Sequence, residues 1–313
     1  MYKILADILE KQGRFENPAQ RNEVIKWLKT ELTYTSNHIE GNTLTREETA
    51  LTIEEGITSG SKPLKDYIEA KNHAEAFEYI LSLINEDKIS YEKVIFDIHS
   101  IILNGINNEF KGRYRTVRVR ISGSNVVLPN PLKVPELMKR FSEKLDQKKD
   151  SILKAIEAHY KLVEIHPFID GNGRTARLLM SLILLRSQIF PILIQPKERK
   201  RYLSHINERN LKGKIFPYYN YMLKLLDKSL KIYDAMFGET SDSESELLTI
   251  KKFAEFCGVP ISTIRYYLKI NKLQPRSYTN AGYMLFDKNQ ASVINQINKS
   301  GKPVVHRRAF TSF

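Results

Sequence analysis

Ile165 to Ser187 reads IHPFIDGNGRTARLLMSLILLRS, and the two halves of this stretch obey different rules. From Leu178 to Leu185 nearly every position is apolar, which suits a helix buried on all sides. The run is about half of what a membrane-spanning helix requires, and Arg186 ends it. Ahead of it, Gly171, Asn172 and Gly173 stand where that helix begins, so their backbone N–H groups can face an anion at the positive end of the helix dipole. Arg174 and Arg177, three residues apart, share one face of the first turn and can grip phosphate oxygens with forked hydrogen bonds. Asp170 supplies a hard oxygen able to reach a Mg²⁺ held by phosphates. His166, on the loop before the helix, can take a hydroxyl proton in its neutral form at physiological pH. Taken singly, these are a glycine-rich turn, solvated arginines and a structural histidine. Together they place a base, a metal ligand, an anion cradle and a cationic clamp within twelve residues.

Working outward, the helical period continues on both sides. PLKDYIEAKNHAEAFEYILSLINE opens with Pro63 at a first-turn position and repeats apolar residues at three- and four-residue steps; YEKVIFDIHSIILNGI and DSILKAIEAHYKLVEIH do the same. VRVRISGSNVVLPNP, Val117 to Pro131, breaks the pattern with two short β-prone runs separated by Ser122, Gly123, Ser124 and Asn125, which predicts a hairpin. The fold class is therefore mainly α, with one β-hairpin flap.

The chain has 313 residues, is 42% hydrophobic and 27% charged, and has a mean hydropathy of −0.38, as expected of a globular protein with a packed core. Lys and Arg number 49 against 36 Asp and Glu, a net charge of +13 that asks for an anionic partner. That charge is unevenly placed: residues 247–313 carry +9 and residues 1–246 only +4. Between them GETSDSESE, Gly238 to Glu246, is small, polar and acidic, in keeping with a solvated linker. The expected division is a helical region 1–90, a core domain 91–238, a linker 239–246, a second domain 247–300 and a basic tail 301–313. Cys257 is the single cysteine, so no internal disulfide forms, and no Cys/His cluster has zinc-ligand spacing. The start, MYKILADILEKQGRFE, acquires Asp7 and Glu10 too early for a signal peptide. A reducing cytoplasm, with no membrane partner, is expected.

His166 to Arg177, HPFIDGNGRTAR, resembles the signature of Fic-domain proteins, HxFx(D/E)GNGRxxR, at every defined position. The resemblance extends upstream to Gly112-Arg113-Tyr114-Arg115, the hairpin and His159, and downstream to Tyr202, covering roughly residues 90–235. It implies a Fic-type helical core that transfers AMP from ATP to a Ser, Thr or Tyr hydroxyl of a protein, releasing pyrophosphate. By position, His166 would be the base and Asp170 would hold Mg²⁺. The run Gly171, Asn172, Gly173, Arg174, Thr175, Ala176 and Arg177 would bind the phosphates, and Phe168 would anchor the loop. Tyr202 and Asn207 follow at a distance where relatives contact the nucleobase. Relatives that phosphorylate instead tend to carry Lys at the position of Gly173, so the glycine favours AMP transfer. The hairpin would be a flap whose exposed edge registers the target peptide.

Near the start, TYTSNHIEGNTLT places Ser36 and Glu40 four residues apart, followed by Gly41. On its own this is an ordinary helix end capped by glycine. Beside a Fic signature it resembles the inhibitory motif (S/T)xxxE(G/N), which implies that Glu40 pairs with Arg177 and excludes ATP or misplaces its α-phosphate. One charged hydrogen bond contributes about 1.5–3 kcal/mol, a leaky brake, so steric exclusion is expected to add to it. In some relatives the same glutamate assists removal of AMP.

From Leu247, LLTIKKFAEFCGVPISTIRYYLKINKLQPRSYTNAGYMLFDKNQ predicts a helix capped by Thr249, a turn at Gly258, a second helix capped by Ser262, and a hairpin turning near Asn280 to Gly282. This layout resembles the winged-helix domain of MerR-type regulators, notably in Gly258-Val259, Thr263-Ile264-Arg265-Tyr266-Tyr267 and Asn280-Ala281-Gly282-Tyr283. The resemblance implies DNA contact by Lys251, Arg265, Tyr266, Lys269 and Arg276, with Arg307 and Arg308 adding phosphate attraction. Two function classes follow. One is an autoinhibited adenylyltransferase; the other is a DNA-binding regulator whose Fic domain senses nucleotide or removes AMP. A homodimer is compatible with either.

Overall fold

The periodic segments are helices. The computed structural model describes residues 18–58, 60–121, 124–237, 248–278 and 284–294, and its contacts divide the chain into two units, Met1–Phe237 and Gly238–Phe313. The predicted linker and the tail with Arg307 and Arg308 lie outside the described residues.

In the first unit the described helices are α1 (Pro18–Ile39), α2 (Arg46–Glu54), α3 (Leu64–Ser82), α4 (Tyr91–Ile102), α5 (Val134–Gln147), α6 (Ile152–Ile165), α7 (Asn172–Arg186), α8 (Arg199–Lys212) and α9 (Ile215–Phe237). The apolar run of α7 is the centre of the core: Leu178, Leu179, Leu182 and Leu184 are fully buried. Each contributes about 1.5–3 kcal/mol relative to an exposed side chain. α6 lies along α7, and α1, α3 and α4 also touch it, so the N-terminus of α7 is held from several sides. Pro63 stands just before α3, at its N-cap, and not inside its first turn.

The predicted hairpin is a correction. No strand forms among the described residues of 117–131. Val117 and Val127 are 54% and 92% exposed, and Val119, Ile121, Val126 and Leu128 are only part-buried, so a two-stranded ribbon here would have no fully buried face, and such ribbons are marginal alone. Arg115 closes the base of this excursion instead: its guanidinium donates to Val117 O at 3.2 Å and to Pro129 O at 2.7 Å.

In the second unit, β1 (Leu248–Thr249), α10 (Ile250–Phe256), α11 (Ile261–Lys269), β2 (Ser277–Tyr278) and β3 (Met284–Phe286) follow the predicted helix, turn, helix and wing. The antiparallel sheet has the order β1-β3-β2, with Leu248 opposite Phe286 and Ser277 opposite Leu285. Phe253 stacks on Phe286 in a small core of its own. Gly258 takes a φ of +65°, as its turn requires. Two capping expectations are corrected. Thr249 occupies the N-cap of α10 without a side-chain bond, and Pro260 occupies the N-cap of α11, placing Ser262 inside the first turn. The wing turn, Asn280 to Tyr283, lies outside the described residues.

Candidate active site

α6 ends at Ile165, and His166 follows in the left-handed region (φ 51°, ψ 59°), which a non-glycine residue enters only when its surroundings hold it there. Here they do: His166 N donates to Leu162 O at 2.9 Å, and Arg115 Nε donates to His166 O at 2.8 Å. Arg115 N also donates to Pro167 O. The imidazole Nδ1 is 3.3 Å from Val163 O. A carbonyl can only accept, so the proton sits on Nδ1 and the Nε2 lone pair is left for a substrate proton. Burial pulls the His166 pKa below its ordinary value, which keeps that lone pair available at neutral pH.

The loop after it is built on Phe168, fully buried and stacked on His99 with ring centroids 3.6 Å apart. His99 Nε2 donates to Asp170 O and its Nδ1 accepts from Gly112 N, both at 3.0 Å. Burial pushes the His99 pKa down to about 4, so it performs both roles as a neutral ring. The Asn172 side chain clasps Phe168, accepting from its N at 3.0 Å and donating to its O at 2.9 Å. Gly171 has a φ of +76°, and a Cβ there would press on His99. α7 begins at Asn172, so Gly173 lies in the first helical turn and not ahead of it. Asp170 accepts from Gly171 N through Oδ1, and its side chain is about half exposed.

The two arginines are already engaged. Arg177 is buried; its Nε donates to Ser36 Oγ at 2.9 Å, and its Nη2 donates to Ser36 O at 2.9 Å and to Glu40 Oε1 at 2.7 Å. Burial lowers the Arg177 pKa most, but the Glu40 carboxylate and the Tyr202 hydroxyl together raise it above its ordinary value. Glu40 stands one residue past α1, in a turn completed by Gly41 at φ +99°. Arg174, 3% exposed, donates through Nη1 to Glu69 Oε1 at 3.0 Å. Its Nε is buried without a partner. Asn42 and Thr43 tie the inhibitory segment to the start of α3: Asn42 Nδ2 reaches Asp66 O and Glu69 Oε2, and Thr43 N and Oγ1 donate to Asp66 Oδ2. A capping box between Thr45 and Glu48 then starts α2.

The remaining sequence candidates fall in different places. Thr175 and Ala176 are fully buried, so their side chains offer a ligand no surface. Tyr202 is 1% exposed with its hydroxyl 2.6 Å from His159 Nε2, while His159 Nδ1 is 2.7 Å from the Tyr218 hydroxyl. Tyr202 therefore backs Arg177 from within the core and presents no ring to a nucleobase. Asn207 is partly exposed and accepts from Ser124 Oγ at 3.0 Å, pinning the 117–131 excursion to α8. Beside it, Arg199, Lys200, Leu203 and Ser204 line an open depression of about 490 Å³. A larger depression of about 950 Å³ includes Asp150, Lys154 and Arg186 but no residue of the motif, and those charges pair with one another at 2.7 Å.

Glu69, His73 and His99 were not singled out from the sequence. Each sits inside a periodic helix, where nothing local distinguishes a buried polar residue from a solvated one. His73 is fully enclosed beside Arg174 and Arg177; burial first, then those cations, holds its pKa near 3, and its Nδ1 meets Thr33 Oγ1 at 3.1 Å. In the second unit, Lys251, Arg265, Tyr266, Lys269 and Arg276 are all exposed. Arg265 and Lys269, one turn apart on α11, share a face.

Residues 88–184 match the Fic/DOC family, and residues 249–286 match the MerR family regulatory protein. Protein adenylyltransferase Fic of Nematostella vectensis is 35% identical over 206 residues, 64% of this chain and 47% of that protein. The protein of the same name from Drosophila grimshawi is 34% identical over 205 residues, 64% of this chain and 42% of that one. The match thus spans less than half the length of these curated relatives. Among solved structures, Fic-1 from C. elegans superposes with a TM-score of 0.70 at 28% identity, over 77% of this chain and 73% of that one. A Fic domain containing signaling protein from Bacteroides thetaiotaomicron does so with a TM-score of 0.64 at 28% identity, over 76% and 97%. Signature, helical core and these matches agree: the first unit is similar to the Fic/DOC family over residues 88–184, and the second unit is similar to the MerR family over residues 249–286.

Proposed function

We propose that this chain is a protein adenylyltransferase held in check by Glu40. The observation that carries the reading is the pairing of a bare His166 Nε2 with a buried arginine, Arg177, whose present acidic partner comes from a segment 137 residues away in sequence. A carboxylate on Arg177 occupies a donor that a phosphate would use. With Glu40 withdrawn, a protein hydroxyl oxygen attacks the α-phosphorus of ATP and its proton passes to His166 Nε2. The bond from that phosphorus to the bridging oxygen breaks, and pyrophosphate leaves. The N–H groups at the start of α7 and the two arginines stabilise the phosphate charge as it shifts. Arg115 and the His99–Phe168 stack hold His166 and the loop in register for this transfer.

Among the described residues no group of three or more His, Cys, Asp or Glu is placed to hold a metal. A Mg²⁺ bound mainly by phosphates needs only one or two protein carboxylates, and the half-exposed Asp170 fits that donor set. The metal would supply charge neutralisation. No helix among the described residues is long and apolar enough to cross a membrane, and ATP as substrate suits a cytoplasmic setting.

The test is transfer of label from α-³²P-ATP to protein, with γ-³²P-ATP as control. Label from the α-position alone supports AMP transfer; label from the γ-position alone would replace it with phosphorylation. A second reading rests on the exposed Arg265 and Lys269 of α11: the chain also binds DNA through its MerR-family segment. A salt-dependent mobility shift of duplex DNA by the full chain tests that.

A further inference from the structure

Gly173 is helical, and a side chain there would be welcome to the helix itself, since glycine in a helix costs about 0.5–1 kcal/mol relative to alanine. The tightest obstruction lies outside the helix. A Cβ built on Gly173 would overlap Glu40 Oε1, closer than real Cβ atoms approach any atom, and would stand 3.1 Å from Arg177 Nη1 and 3.3 Å from Glu40 Cδ. No other atom is among its three nearest neighbours. We infer that Gly173 is the residue that admits the brake: the inhibitory carboxylate reaches Arg177 only because position 173 has no side chain. This rests on the reading of Glu40 as an inhibitor and adds the residue that decides whether it can close.

The direction of the effect follows from which group can yield. Asn172 and Phe168 lock the backbone of the first turn of α7, and Arg177 is held by two bonds to Ser36 as well as by Glu40. The Glu40 carboxylate is the far end of a flexible side chain, 38% exposed, with a turn behind it. A methyl group at 173 therefore expels Glu40 into solvent and leaves Arg177 on Ser36. The change uncouples the brake without removing the arginine that ATP needs.

A double-mutant cycle on the full chain separates this from the activity reading. Thermal unfolding is measured for the wild type, Glu40→Gln, Gly173→Ala and the double variant. The expected result is that Glu40→Gln lowers the midpoint when residue 173 is glycine and leaves it unchanged when residue 173 is alanine. An equal shift in both backgrounds would show that Glu40 still reaches Arg177 past a methyl group and would overturn the inference. ATP titration gives the second readout: because residue 173 also adjoins the phosphate cradle, the quantity that tests the brake is a ratio, and the change in affinity on Gly173→Ala should be about 10-fold more favourable with Glu40 present than in a Glu40→Gly chain. Equal effects in both backgrounds would also overturn it. Failure of Glu40→Gly itself to bind ATP would count against the adenylyltransferase reading, while the unfolding cycle still decides the role of Gly173.

Discussion

The cations of the two units work in opposite ways. In the first unit, Arg174 and Arg177 are 3% and 6% exposed, and each is bound to a carboxylate before any ligand arrives. In the second unit, Lys251, Arg265, Lys269 and Arg276 are exposed at the surface. Buried, partnered cations act through geometry, so single changes should switch them on or off. Exposed cations act through a field shared among neighbours, so changes should be graded and depend on salt. A chain that was merely basic throughout would not show this division.

The largest effect is expected at the base. His166→Ala should lower label transfer about 10²- to 10⁴-fold, the range that general-base catalysis supplies, with the helical content unchanged. The pH profile adds a check. Burial lowers the His166 pKa, so the base stays neutral further into acid than an ordinary histidine, and the acid limb of the rate should fall below pH 6.5.

Next comes the Arg174 partner. Glu69 and Arg174 are side chains 8% and 3% exposed, and removing Glu69 leaves the buried Arg174 with only the half-exposed Asp170, 3.6 Å away, as a carboxylate partner. Glu69→Ala should cost about 3–5 kcal/mol in urea unfolding, whereas Lys251→Ala in the second unit should stay within about 0.5 kcal/mol. A cost for Glu69→Ala as small as that of Lys251→Ala would remove the contrast between the two kinds of cation.

Glu40 lies between these extremes, because its carboxylate is partly in water. Glu40→Gly should raise label transfer about 10-fold or more, the lower end of what a charged hydrogen bond contributes once screening is counted. Equal transfer by wild type and Glu40→Gly would remove the brake from the picture.

What could be read from the sequence follows the range of the interactions. The motif from His166 to Arg177 is local, so its loop and helix were legible in one stretch. The Glu40–Arg177 pair was reachable only through resemblance to a family, since 137 residues separate the partners. Glu69 and His73 had no such guide; α3 reads as a plain amphipathic helix, and only the packing of α3 against α1 and α7 brings those residues to the arginines. The expected hairpin failed although Val119, Ile121, Val126 and Leu128 are part-buried: β-propensity reports fit to neighbours as well as burial, and the backbone of this segment is held by Arg115 and Asn207 and not by a strand ladder. Tyr202 was misplaced for the converse reason: its position on a helix after the motif was legible, but not that this face turns inward to His159.

The smallest expected change is also the one that separates the two units most clearly. If α11 meets duplex DNA, each exposed cation at a phosphate releases counterions, and the logarithm of affinity falls with the logarithm of salt by about 0.9 per contact. Arg265→Ala in the full chain should therefore reduce that slope by about 0.9, weaken binding similarly across DNA sequences, and leave label transfer by the Glu40→Gly chain unchanged. Lys269→Ala, one turn along the same face, should do the same, and the double variant should lose about twice as much slope. Additivity is the telling point, because it requires cations that act independently in solvent. Arg174 and Arg177 cannot show it: they lie on one helical turn beside His73 and are coupled through the same carboxylate-lined cradle. A slope that collapses on loss of Arg265 alone would mean that this cation too is held in a specific pocket of contacts, and the second unit would then have to be understood in the terms that govern the first.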